Sequence, residues 1–178
     1  MQIITFKRAM SLFISLVLVL AICVTNVLAQ QKMKVAGKVT MTEKARSKLS
    51  APDAKDHVVF ISEWEGTNVS TGENKFMDGA KFIFAAHGHY TMGTGPHYTF
   101  FKMSLDDDKV IGNADGKTTT TLSPENVPIT TLEGTSAFTK GKGKYVNIQG
   151  SGTYKAKYTS MTTMEMEWEG EYFIKKEQ

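Results

Sequence analysis

Apolar and polar residues alternate one by one along most of this chain, and a repeat of two is that of a β-strand with one buried face. Met33, Val35, Gly37, Val39 and Met41 share one face of a first strand. Residues 43–56 are polar, contain Pro52 and read as a loop or a single helical turn. A second strand over 57–65 carries Val58, Phe60, Ser62 and Trp64 on one face, and residues 66–72 supply turn chemistry. A third, over 81–92, places Phe82, Phe84, Ala86, Gly88 and Tyr90 on one side and Ile83, Ala85, His87 and His89 on the other. A fourth covers 97–105 and ends at the acidic triplet 106–108. Weaker strands over 109–113 and 117–122 and a stronger one over 129–139 follow. Helical periodicity is almost absent.

The last third reads most clearly. Tyr154, Ala156 and Tyr158 alternate with Lys155 and Lys157, and Met164, Met166, Trp168 and Tyr172 alternate with Glu165, Glu167, Glu169 and Glu171. A hairpin turning at 160–162 sets Lys157 against Glu165 and Lys155 against Glu167 on the wet side. The same register sets Tyr158 against Met164 and Tyr154 against Trp168 on the dry side. A slip of one residue destroys every pair.

About eight strands joined by tight turns, with no helix long enough for a crossover, make an all-β fold: a single antiparallel up-and-down β-barrel. Closure removes the exposed edges that invite aggregation. The repeated Glu63-Trp64-Glu65-Gly66 and Glu167-Trp168-Glu169-Gly170 reflect shared strand-end composition; one tetrapeptide is far short of a periodic repeat.

The start of the chain reads as an export signal. Lys7 and Arg8 precede an apolar run over 12–24 broken only by Ser15, and Val27-Leu28-Ala29 offers a cleavage site. The run is shorter than the roughly 18–20 residues a permanent membrane helix needs. Residues 1–29 are therefore expected to be a signal peptide, and 30–178 one soluble barrel domain, secreted or periplasmic, with no membrane span after cleavage. The only cysteine, Cys23, falls in the signal, so the mature domain holds no disulfide. Removal of Lys7 and Arg8 leaves 19 basic residues against 18 acidic ones, which takes away the electrostatic case for nucleic acid.

Gly141-Lys142-Gly143-Lys144-Tyr145-Val146-Asn147-Ile148-Gln149-Gly150-Ser151-Gly152-Thr153-Tyr154 resembles a motif of the allene oxide cyclase-like and dirigent-like barrels, as do the flanking Leu132-Glu133-Gly134-Thr135 and the closing Glu169-Gly170-Glu171-Tyr172-Phe173-Ile174. The resemblance implies an eight-stranded, calycin-type (lipocalin-like) barrel whose interior holds one small, largely apolar molecule. It carries over no catalytic residue, since the N-terminal half lacks the cyclase motifs.

On the alternation, Trp64, Phe82, Phe84, Tyr90, Tyr154, Met166 and Trp168 line the interior and are the ligand-binding candidates. The function read from them is binding of a small apolar or amphipathic molecule without catalysis. The alternative is a barrel isomerase or cyclase using cavity histidines. His87 and His89, two apart on a strand, are the weak metal candidates, with His57 or His97 as a third nitrogen. No third ligand is set by spacing, so neither metal nor other cofactor is expected. Asn68-Val69-Ser70 is a glycosylation acceptor sequence on an expected turn.

Overall fold

The structure, a computed structural model, describes residues 31–176. The expected signal peptide lies outside them. Eight strands follow one another: β1 (Met33–Ser50), β2 (His57–Ser70), β3 (Lys81–Thr91), β4 (Gly95–Leu105), β5 (Asp108–Leu122), β6 (Pro128–Lys142), β7 (Ile148–Tyr158) and β8 (Thr163–Ile174). Each pairs antiparallel with its chain neighbours, and β8 returns to β1, from Met33 opposite Tyr172 to Thr42 opposite Thr163, to close the barrel. The only helical element among the described residues is a 3-10 turn at Gly143–Tyr145. No helix among them is long and apolar enough to cross a membrane.

The β7–β8 hairpin has the expected register: Tyr158 faces Met164, Lys157 faces Glu165, Lys155 faces Glu167 and Tyr154 faces Trp168. The ion pair at Glu167 differs from expectation. Its carboxylate takes Lys38 of β1 at 2.6 Å, because Glu167 lies opposite Lys38 across the closing ladder as well as opposite Lys155.

Three segments depart from the sequence reading. Residues 43–50, expected as loop or helical turn, continue β1. Beyond Thr42 they have lost β8 and pair only with β2. With no partner element over either face they need no apolar stripe, and backbone bonds to β2 hold them extended. Lys44, Arg46 and Lys48 charge the edge left open there.

Residues 67–70, expected in a turn, are strand, paired with 37–40 of β1. Their polarity misleads because Asn68 and Ser70 are buried and hydrogen-bonded rather than solvated. The two weak strands over 109–113 and 117–122 are one strand, β5, paired with β4 and β6 along almost its whole length. The inward residues at its middle, Ala114 and Gly116, are too small to register as an apolar face.

One end of the barrel is closed by the connection between β2 and β3, residues 71–80. Phe76, 2% exposed, sits among Phe138, Tyr145, Trp168 and Tyr172, with ring centroids 4.9–6.0 Å away. Asn68 staples this plug to the wall. Its amide nitrogen donates to the carbonyls of Phe76 (3.1 Å) and Met77 (2.8 Å), and its amide oxygen accepts from Trp168 Nε1 (3.0 Å). All three bonds are buried, and Asn68 satisfies the Phe76 carbonyl and the Trp168 N–H, which would otherwise be stranded. The acceptor tripeptide for glycosylation is thus inside the barrel wall, and Asn68 is 0% exposed.

Candidate functional site

Alternation on every strand sends one set of side chains inward, and between the plug and the opposite end they leave a cavity. The cavity has a volume of about 70 Å³. The seven residues singled out from the sequence, Trp64, Phe82, Phe84, Tyr90, Tyr154, Met166 and Trp168, all line it. Stacked and edge-on rings make up much of the wall, among them Trp64 over Phe84 at 6.0 Å and Phe60 over Tyr90 at 4.5 Å. No Asp, Glu, Lys or Arg lines the cavity.

Its polarity is concentrated in a chain of four side chains from four strands. Thr118 of β5 donates its hydroxyl proton to the Tyr90 oxygen at 2.8 Å. His97 Nδ1 lies 3.0 Å from the same Thr118 oxygen, and His97 Nε2 lies against the Tyr154 hydroxyl. A threonine hydroxyl has one proton. With that proton committed to Tyr90, His97 Nδ1 must carry hydrogen and donate to Thr118, which leaves Nε2 as the acceptor for Tyr154. Gly116 and Gly134, opposite each other on β5 and β6, make this reach possible. A Cβ on either would stand 2.5–2.6 Å from the Tyr154 hydroxyl.

Burial favours the uncharged form of each titrating member. It pushes His97 below its ordinary value, against a weaker opposite pull from Asp115. It pushes Tyr90 up to about 12 and Tyr154 higher still. A histidine whose folded pKa is depressed takes up a proton first in the unfolded chain, near pH 6.5. Its contribution to stability is therefore complete above that pH and is lost as pH falls toward the folded value. Urea unfolding between about pH 8 and pH 5 should show this loss, and His97→Gln should flatten it relative to the parent. An unchanged slope would mean that His97 is solvated.

Sequence reasoning did not single out His97 as the cavity histidine. The aromatic pair Phe100 and Phe101 hides the phase of β4; Phe101 and Met103 are buried whereas Phe100 is 58% exposed, which turns His97 inward. His87 and His89, on the other hand, are outside. The histidines available to the isomerase alternative thus reduce to His97, for the phase that faces Phe82, Phe84 and Ala86 inward turns His87 and His89 to solvent. His89 Nδ1 meets His57 Nε2 at 3.3 Å, His57 Nδ1 meets Asp53 at 2.6 Å, and His87 packs on Tyr98. Among the described residues no three His, Cys, Asp or Glu side chains group as metal ligands.

Fold and site together define a class: a closed antiparallel eight-stranded β-barrel around an apolar, uncharged cavity with one polar wall. Among solved structures, it is similar to a pyocyanin demethylase at 16% identity and a TM-score of 0.41, over 75% of this chain and 98% of that one. It is also similar to the pterocarpan synthase dirigent protein GePTS1, at 13% identity and a TM-score of 0.39, over 82% of this chain and 90% of that one. The barrel itself rests on its own closed ladder. No family model and no curated protein matches the chain.

Proposed function

We propose that this chain is an exported, non-enzymatic barrel that binds one small, largely apolar and uncharged molecule in its interior. The observation that carries the reading is the cavity wall, aromatic and sulfur-rich, without a charged side chain. A charged ligand entering there would lose its water without gaining a counterion, whereas an apolar one gains contacts on all sides. Met103, Met164 and Met166 line the same space and adapt their shape to a guest. Binding is favoured over acid–base catalysis because both ring nitrogens of His97 are already engaged, by Thr118 and Tyr154, so neither faces a guest as a free base.

The test uses ethylbenzene as a neutral probe. Both tryptophans, Trp64 and Trp168, line the cavity, so binding should change their fluorescence and raise Tm with ligand concentration. Ala114→Leu, which fills the cavity from β5, should abolish both responses. A Tm and a fluorescence spectrum that ethylbenzene leaves unmoved would sink the reading.

A further inference from the structure

We infer that the cavity selects a neutral molecule bearing a hydrogen-bond acceptor, such as an aryl ketone, and that the Tyr90 hydroxyl is the donor that recognises it. This rests on the binding reading above and goes beyond it by naming the polar group of the guest and the atom that meets it.

The direction of the polar chain carries the inference. Starting from Tyr154, each member donates to the next: Tyr154 to His97, His97 to Thr118, Thr118 to Tyr90. The Tyr90 oxygen is thereby an acceptor already in use, and its own proton has no acceptor among the described residues. Because Tyr90 lines the cavity, that proton is available to a guest. Bonds in a one-way chain polarise one another, so the last donor is a stronger donor than an isolated phenol. Its ring is held by Phe60, stacked at 4.5 Å, which limits where the hydroxyl can point.

Other hydroxyls face the cavity, Tyr158 among them, but none ends a relay of several donors as Tyr90 does. Thr99 and Ser136 line it and are free to rotate between donating and accepting. Ser62 accepts from Trp64 Nε1 at 3.0 Å. Tyr154 spends its proton on His97. A guest whose only polar group is a donor therefore finds no acceptor to match it at the end of the chain. A guest with an anionic group meets no cation in the wall.

Two nearly isosteric probes separate this inference from the reading beneath it. Acetophenone and ethylbenzene differ chiefly in the carbonyl. Each is titrated into the parent and into Tyr90→Phe, and the ratio of Kd values between the two proteins is read for each probe, which cancels their unequal solubility. Tyr90→Phe should weaken acetophenone about tenfold and leave ethylbenzene unchanged, the difference one neutral hydrogen bond makes. The infrared carbonyl stretch of bound acetophenone should lie at lower frequency in the parent than in the variant. Thr118→Ser, which keeps the hydroxyl, should retain the preference, and Thr118→Val, which leaves Tyr90 its proton but removes the bond that directs and polarises it, should weaken it.

Equal ratios for the two probes, with ethylbenzene bound, would overturn the assignment of Tyr90 while leaving the binding cavity intact. Binding of neither probe to the parent would overturn both. If Tyr90→Phe fails to fold, the carbonyl frequency in the parent against that in Thr118→Val decides the same question.

Discussion

Trp168→Ala should lower the stability of the barrel by about 3–5 kcal/mol, a large part of what holds a domain of this size folded. The indole is 9% exposed, lies opposite Tyr154 in the β7–β8 ladder and meets the Phe76 ring edge-on at 6.0 Å. Its removal opens a void between the wall and the plug. It also strands the amide oxygen of Asn68, which accepts from Trp168 Nε1. The next residue offers the control. Glu167 points outward to Lys38, and an exposed pair of this kind contributes little, so Glu167→Ala should leave the urea midpoint where it was. Equal losses from the two substitutions would mean that inward and outward faces are exchanged on β8, and the list of cavity residues would go with them.

Asn68→Asp should be at least as damaging, although the two side chains are nearly the same shape. The amide nitrogen donates to two buried carbonyls, those of Phe76 and Met77. A carboxylate offers them no proton. The Met77 carbonyl keeps its bond from the Ala80 N–H at 3.1 Å, but the Phe76 carbonyl is left unpaired at about 1–3 kcal/mol, before the penalty of a buried charge beside two carbonyl oxygens. The introduced carboxyl would have its folded pKa raised above the unfolded value near 3.9. Its contribution is then best below that value and is lost as pH rises through the folded pKa, so the deficit against the parent should grow from acid to neutral pH. A small deficit that ignores pH would show that the plug is not held by Asn68. By the same geometry the folded protein offers Asn68 to no modifying enzyme, since it is fully buried in β2.

Much of the barrel can be read from local pattern because a period of two and a half-buried sheet are the same statement. The register of β7 and β8 followed from matching charges on one face and rings on the other. The errors fall where burial and polarity part company. Asn68, Ser70, Thr118 and His97 are polar and buried, and a pattern of hydrophobicity scores them as turn, surface or noise. Residues 43–50 are strand with no buried face at all, held chiefly by backbone pairing with β2.

The cavity divides in the same way. Trp64, Phe82, Phe84, Tyr90, Tyr154, Met166 and Trp168 were legible as an inward set because each sits in phase with its own strand. The chain from Tyr154 through His97 and Thr118 to Tyr90 was not, since its members come from β7, β4, β5 and β3 and are separated by 21 to 57 residues along its links. No local repeat records which side chains meet across a lumen. Alternation in the chain dictated the strands, their wet and dry faces and the need to close. Which polar atoms face each other inside, and which way their protons run, was decided only when β8 met β1 and the stagger of eight strands brought distant residues to one level of the barrel.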